Sequence, residues 1–459
     1  MRPSPAGMNL RDVPARIREF VIHDSTVARE VAARVLYGSA RLARALGRRD
    51  PAYSLLMRTH RAGLSPAIEQ RIANEIRVAT LQEHHGHETG LWTTYDRLIA
   101  GEAAAFRTSP YKTPDNLLGG RVLVVKSPRP GERGVLVVDY SKFFALFAAF
   151  FDVDAIVERY FIVLEPSAAG ACSPEILAYT RFRAPVFVEA PEPRDQTMLA
   201  ALETNLQSLP FGANWWVDYR RMTPLPRSER DIDVIMIASW SAVKRHALVF
   251  RALAKLRRRG RKLSVVLIGV PWGMSQADIE RLAEQYGIRD QIRLFEYIKA
   301  EQVSRLLVRS KVCVLWSRRE CANRSIIEAM VAGVPVLVRK GLSYGYQYPY
   351  INEDTGQFVE EAELAEAIIT TIDGWGQRDP RRWVLEHMTP AHATRILNDQ
   401  IRATACARGE RWTEDAVAKT YDSNFQQYWD EGERARFAAD YDFLRSTRRN
   451  GLATNGGNS

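Results

Sequence analysis

Only four cysteines occur in 459 residues, at 172, 313, 321 and 406, far apart and with no CxxC pair. That scarcity excludes a zinc ribbon and a disulfide framework and fits a reducing compartment. Long apolar runs are missing as well. The longest, FFALFAAFF at 143–151, is well short of the roughly 20 residues that cross a bilayer. The amino-terminal MRPSPAGMNLRDVPARIREF lacks the uninterrupted apolar segment of a signal peptide. The expected location is therefore cytoplasmic. Phosphate-cradling turns are absent too: there is no GxGxxG for a dinucleotide and no GxxxxGK[ST] for a P-loop. Neither GxSxG nor HExxH occurs.

What is present is an ordinary globular composition, 46% hydrophobic and 26% charged, long enough for two or three domains with full cores. The net charge is +10, and it is local: residues 1–61 hold 12 arginines against 5 acidic residues, or +7. Between 13 and 48, Ile17, Phe20, Val21, Val27, Val31, Val35, Leu42 and Leu46 recur at amphipathic-helix spacing. This pattern fits a helical layer packed on the body with its arginines in solvent. It also fits docking of residues 1–50 to an anionic membrane surface at the inner face. Nucleic acid is not expected, because no recognisable binding module accompanies the arginines.

Along the chain, residues 1–112 read as a helical extension without strands. Residues 113–226 alternate GGRVLVVKSP, RGVLVVDYS, ERYFIVLEPS and APVFVEAP with helical stretches, the pattern of a mostly parallel sheet. The polar, proline-containing TPLPRSERD at 223–231 predicts a linker. A second series follows over 227–378: DVIMIAS, KLSVVLIG, QIRLFEY, KVCVLWS and VPVLVRK, with helices over 243–259, 275–286, 301–309 and 325–332 between them. Residues 379–459 return to a helical pattern and end in a polar, disordered tail. The fold class is α/β, with two Rossmann-like domains, an amino-terminal helical extension and a carboxy-terminal helical segment.

Several short patterns carry little. Asp152-Val153-Asp154 has the form of a metal-binding DxD, but three letters occur readily by chance. In EHHGHE at 83–88, His84 and His87 would face one metal only in a continuous helix, and Gly86 interrupts it. In GLSYGYQYPYIN, Tyr344, Tyr346, Tyr348 and Tyr350 alternate on one side of an extended chain, suited either to packing against the neighbouring domain or to lining a cleft. EPSAAG at 165–170 follows a strong strand; Ser167 and Gly170 are its candidates for the acceptor side of such a cleft.

The most informative stretch is SRRECANRSIIEAMVAGVPVLVRKG at 317–341. The apolar run Val312 to Trp316 predicts a buried strand, and the helical pattern starts near Arg324 or Ser325. Glu320 then lies in the loop at the strand's carboxyl end, where open α/β sheets bind ligands, and Glu328 lies in the first turn of the helix. A carboxylate there accepts charge-assisted hydrogen bonds from sugar hydroxyls, while the free amides and dipole of the helix suit a phosphate. Glu328 is placed to hold a second vicinal diol such as a ribose. Taken alone, the same residues are equally well a loop carboxylate and a first-turn residue favoured by the dipole.

The run E-x7-E followed by AM-x-AG-x-PV resembles the signature of family 4 glycosyltransferases, retaining enzymes of the two-Rossmann GT-B fold. VIMIAS with Lys244 is similar to that family's first donor-domain loop, SVVLIG to its next strand, and INEDTGQFV with LAEAI to its closing segment. The resemblance covers roughly 231–375. It implies that Glu320 contacts the transferred sugar, Glu328 the ribose and Lys244 the diphosphate. Gly269, Arg324 and Ser325 are further donor-site candidates, and Asn323 adds a side-chain amide able to contact sugar or phosphate. Two positions depart from the family: Ala238, Ser239 and Trp240 stand where an arginine precedes the lysine, and Ala322 and Asn323 replace an aromatic and a glycine. Either Arg245 is the substitute cation or the second cation is missing.

The resemblance implies a metal-independent, retaining glycosyltransferase with no cofactor, using a UDP- or GDP-linked sugar and a glycan or lipid-linked acceptor. A GT-B body without turnover that serves as a binding or assembly module, and a nucleotide-sugar epimerase, are the other classes the residues allow.

Overall fold

The computed structural model describes residues 25–105, 113–167, 170–318, 320–341, 348–374, 376, 378–422 and 425–449. Residues 1–24, the polar tail from 450, and Tyr344 and Tyr346 lie outside them.

Four helices come first: α1 (Thr26–Ala45), α2 (Arg49–Ala62), α3 (Pro66–His84) and α4 (Leu91–Ala105). Ser25 and Ser65 cap α1 and α3 by accepting amide hydrogen bonds with their side chains, and Gly63 ends α2 at φ 65°, a left-handed value that glycine adopts without strain.

The first sheet follows: β1 (Val122–Lys126), β2 (Gly134–Asp139), β3 (Tyr160–Glu165), β4 (Val186–Glu189) and β5 (Leu206–Leu209), side by side in chain order. β1 is antiparallel to β2 and the rest are parallel. Helices α5 (Ser141–Phe150) and α6 (Pro193–Leu202) are among the crossovers. β5, LQSL, has no long apolar run, and the sequence pattern gave no strand there.

The second sheet contains β6 (Ile232–Ile237), β7 (Val265–Gly269), β8 (Ile292–Glu296), β9 (Ser310–Leu315), β10 (Val336–Arg339) and β11 (Gly356–Val359). Helices α7 (His246–Arg258), α8 (Gln276–Gln285), α9 (Ala300–Leu307), α10 (Arg324–Val331) and α11 (Leu364–Asp373) connect or follow its strands. All neighbours are parallel, in the order β11-β10-β9-β6-β7-β8. The period-2 alternation of each strand feeds two cores. Val234, Met236, Val312 and Val314 pack with α7 and α11 on one face, whereas Ile235, Cys313 and Leu315 pack with α9 and α10 on the other. Strand order reverses between β6 and β9, so the loops after them leave in opposite directions and open a crevice.

After α12 (Pro380–His387) and α13 (Pro390–Ala407), the chain forms a hairpin, β12 (Lys419–Asp422) and β13 (Phe425–Tyr428), and then α14 (Ala438–Ser446). Sequence pattern predicted helix through this region, and the hairpin is an addition to that expectation. Ala393, Leu397, Ile401, Tyr428, Phe437 and Leu444 join the core of the first sheet, as do residues of α1 to α4. The first sheet thus has the amino-terminal helices and the returning carboxy-terminal segment in one continuous core.

One sequence expectation is reversed. A helical layer would bury the valines and leucines of α1, yet Val27, Val31, Val35, Leu42 and Leu46 are exposed, while Ala33 and Ala40 are buried. Small residues let α1 approach α2 closely, and that approach selects the alanine face.

Candidate functional site

The carboxyl ends of both sheets face one cleft of about 500 Å³. Its wall on the second sheet is built at the reversal of strand order. Lys244 ends the loop after β6, and Glu320 is in the loop after β9. The Arg318 amide donates to the Val243 carbonyl at 2.9 Å, stitching the two loops together. The Lys244 ammonium then donates to Glu320 Oε1, as does the hydroxyl of buried Ser317. The two charged side chains are only 18% and 10% exposed, so the pair is shielded from screening by water.

Asn323 caps α10: its Oδ1 accepts from the Ile326 amide at 3.2 Å and from the Ser325 hydroxyl at 2.7 Å. Asn323, Arg324 and Ser325 line the cleft, as does Glu328 one turn further on. Glu328 also borders an adjoining pocket of about 230 Å³ with Val217, Ile298, Ser304 and Tyr421. Burial raises the Glu328 carboxyl above its usual pKa against the opposing pull of Arg324.

Gly269 ends β7 at the cleft wall, and its place is dictated by packing. A Cβ there would come within 1.6 Å of the indole nitrogen of Trp240, which is 1% exposed. Trp240 thus takes the space that a side chain at 269 would need.

Arg245 is turned away from this assembly. It adopts φ 53° ahead of α7, its guanidinium lies 3.9 Å from Glu361, and it is not among the cleft-lining residues. Gly170 is not cleft-lining either. Its amide and that of Ala171 donate to Asp195 at 2.9 and 2.8 Å, with Arg61 of α2 against it. Ser167 does line the cleft, and its amide donates to the Ser141 hydroxyl. Tyr348 and Tyr350 are buried and stacked, at 4.9 Å between centroids. Tyr348 donates to the Cys321 carbonyl, and Asn214 donates to the Tyr350 hydroxyl. Both tyrosines pack beneath the Glu320 loop and do not line the cleft.

The facing wall holds residues that the sequence pattern did not single out. Strands β2, β3 and β4 end in Asp139, Glu165 and Glu189, all buried, and Asp139 and Glu165 are register partners. Lys419 of β12 reaches Glu165 Oε2 at 2.6 Å, and the Tyr421 hydroxyl donates to Glu165 and lies 3.2 Å from Asp139. Arg121 pairs with Asp139 at 3.0 Å. Burial lifts the Asp139 carboxyl to about 7 against the pull of Arg121. Burial, reinforced by the charge of Glu165, raises the Glu189 carboxyl well above its usual pKa against the pull of Lys419, and its Oε1 accepts from the Trp216 indole at 3.1 Å. Glu165, Tyr421 and Tyr140 reach the cleft surface. Tyr140 sits at φ 67°, a strained value for a bulky residue. The signal in the sequence was three apolar runs each ending in a carboxylate: VLVVD, FIVLE and VFVE.

The other candidate sites resolve into local structure. Asp152 accepts from the Ala155 amide as a helix cap, and His84 bonds the Thr180 carbonyl at 2.8 Å. Among the described residues, no group of three His, Cys, Asp or Glu is arranged to hold a metal ion. No helix among them is long and apolar enough to cross a membrane.

Two α/β sheets that open onto one cleft with their strand carboxyl ends define a two-domain Rossmann-like architecture of the GT-B class. Residues 221–384, which include Lys244, Glu320 and Glu328, match the family model described as Glycosyl transferases group 1. Among solved structures, the chain is similar to sucrose-phosphate synthase from Thermosynechococcus elongatus, at 16% identity and TM-score 0.45, covering 70% of this chain and 80% of that one. It is similar to Anabaena HepE in complex with UDP, at 17% identity and TM-score 0.43, over 59% and 79%. The carboxy-terminal domain of the group 1 glycosyl transferase LpcC from Francisella tularensis aligns at 16% identity and TM-score 0.33, over 38% and 98%. No curated protein matches the sequence.

Proposed function

We propose that this chain is a retaining, metal-independent glycosyltransferase that moves a sugar from a UDP- or GDP-linked donor to a hydroxyl on a glycan or lipid-linked acceptor. The observation that carries the proposal is the Lys244–Glu320 pair at the reversal of strand order, with the N-terminus of α10 beside it and Glu328 one turn in. The diphosphate lies against Lys244, Arg324 and the first amides of α10, which supply positive charge without a metal ion. Glu320 takes the hydroxyls of the transferred sugar, and Glu328 takes the ribose diol. Arg245, held towards Glu361, is not assigned to the phosphates.

Across the cleft, Glu165 and Tyr421 hydrogen-bond the acceptor, and Tyr140 offers an aromatic face to its ring. The acceptor oxygen attacks the anomeric carbon on the face from which the diphosphate departs. The C–O bond to phosphate breaks as the new one forms, and the acceptor proton passes to the departing phosphate oxygen. Catalysis then consists of positioning and electrostatic stabilisation.

The test is a panel of UDP-, GDP- and ADP-sugars screened by thermal shift, with chelator present, followed by anomer analysis of the product. Stabilisation by one donor, acceptor-dependent release of nucleoside diphosphate in chelator, and a retained anomer support the proposal. Stabilisation without release identifies a binding module, conversion of the free donor without acceptor an epimerase, and an inverted product removes the retaining assignment. Dependence on added magnesium or manganese removes metal independence.

A further inference from the structure

The geometry points to α1 as a docking surface for an anionic membrane. Four of its bulky apolar side chains, and Leu46 at its carboxyl cap, are on the wrong side for a core. Val27, Val31, Val35, Leu42 and Leu46 are 76%, 56%, 59%, 61% and 68% exposed. At about 100° per residue these five positions fall within an arc of about 100°, one continuous stripe along a helix roughly 30 Å long. The small residues Ala33 and Ala40 face inward, with Ala32, Leu36 and Tyr37 packed beside them.

Charge selects the occupant. Arg34 and Arg41 are exposed and fall within about 40° of one edge of the stripe, and exposed Arg48 and Arg49 follow its carboxyl end. The only acid of α1, Glu30, is already engaged by Arg34 at 3.0 Å. A second copy laid on the stripe would oppose arginine to arginine with no free acid on the helix to meet them. A phospholipid surface takes the valines and leucines into its acyl boundary while the arginines reach anionic headgroups.

The placement suits the site already described. Arg29 of α1 donates to the Gly63 carbonyl at 2.6 Å, and Arg61, two residues before Gly63, packs against Gly170. Gly170 closes the loop that carries Glu165 and Ser167 into the cleft. The inward side of α1 is therefore tied through α2 to the first-sheet domain, whose β3 end lines the cleft and which docking would bring to a bilayer holding a lipid-linked acceptor. The purpose of docking rests on the lipid-linked form of the proposed function, but its test needs no nucleotide sugar.

The test is flotation of the full chain with vesicles of phosphatidylcholine alone or with 30% phosphatidylglycerol. A Val31→Asp/Leu42→Asp variant, an Arg34→Glu/Arg41→Glu variant, thermal unfolding and size-exclusion mass are run alongside. The expected result is binding to the anionic vesicles only, a loss of at least tenfold in partitioning for both variants, and an unchanged melting temperature. No binding by the unaltered chain, or equal binding by the aspartate variant, overturns the proposal. A melting temperature several degrees lower in the aspartate variant also overturns it, by showing that the stripe is covered by the chain's own residues. A mass that falls from dimer to monomer in that variant overturns it in favour of a second copy. Donor-induced thermal shift, measured on every variant, reports on the nucleotide-sugar site separately.

Discussion

Replacing Glu320 and Lys244, singly and together, tests whether the two side chains work as one unit. Glu320→Gln keeps the shape and one acceptor oxygen, so Ser317 retains its partner while the Lys244 ammonium loses the opposite charge. If about 3 to 4 kcal/mol of transition-state stabilisation depends on that carboxylate, kcat falls by roughly two to three orders of magnitude. The affinity for free nucleoside diphosphate stays within about twofold, because Glu320 is assigned to the sugar. Lys244→Ala weakens both, since the diphosphate is charged when bound and gains charge as it leaves. It also strands a carboxylate that is only 10% exposed, so part of its cost is the unpaired Glu320. The double variant should therefore cost about 1 to 3 kcal/mol less than the sum of the single ones. The assay is initial-rate release of nucleoside diphosphate at saturating donor and acceptor, with affinity by calorimetry, on all four proteins. Glu328→Gln serves as the contrast, weakening donor and free nucleotide alike with its effect mainly on KM. Additivity within about 0.5 kcal/mol would refute the coupling. Loss of nucleotide binding in Glu320→Gln, with circular dichroism unchanged, would place the carboxylate on the nucleotide side.

Gly269→Ala should lower the melting temperature by several degrees and weaken donor binding, because the new methyl meets the Trp240 ring at 1.6 Å and the Ala238 carbonyl at 2.5 Å. Such overpacking costs about 1 to 3 kcal/mol, and an unchanged melting curve would show that the loop yields freely. Glu192 is 1% exposed with both carboxylate oxygens lacking hydrogen-bond partners, and burial, aided by Asp195, lifts it to about 8 from an ordinary 4.5. Between those values the native state holds a proton that the unfolded chain has released. Its contribution is thus full below pH 4.5 and declines by about 1.4 kcal/mol per unit as pH rises to 8. Glu192→Gln should flatten that part of the stability profile, and parallel unfolding curves for the two proteins from pH 5 to 8 would exclude the assignment.

The second sheet was legible almost strand by strand. VIMI, VVLIG, KVCVL and VPVLV read as apolar runs, and the first three are each followed by a helix whose periodicity is equally local. Glu320 and Glu328 could be placed for the same reason: a strand, a short loop and a helix start fix their positions over a dozen residues. The ends of the chain were less legible. Lys419 and Tyr421 pair with Glu165 across 254 and 256 residues, and no periodicity announces a contact at that separation. Arg245 directly follows Lys244, yet the left-handed turn at its own backbone carries it to Glu361 while the lysine enters the cleft.

In α1 the spacing of valines and leucines correctly announced an amphipathic helix but not which side would be covered. The helix has two usable faces, one a stripe of valines and leucines and one on which Ala33 and Ala40 lie among Ala32, Leu36 and Tyr37. Spacing along a chain records that such faces exist, whereas the choice between them belongs to the neighbour. Close approach of α2 favours Ala33 and Ala40, and the bulkier stripe is left to the solvent side.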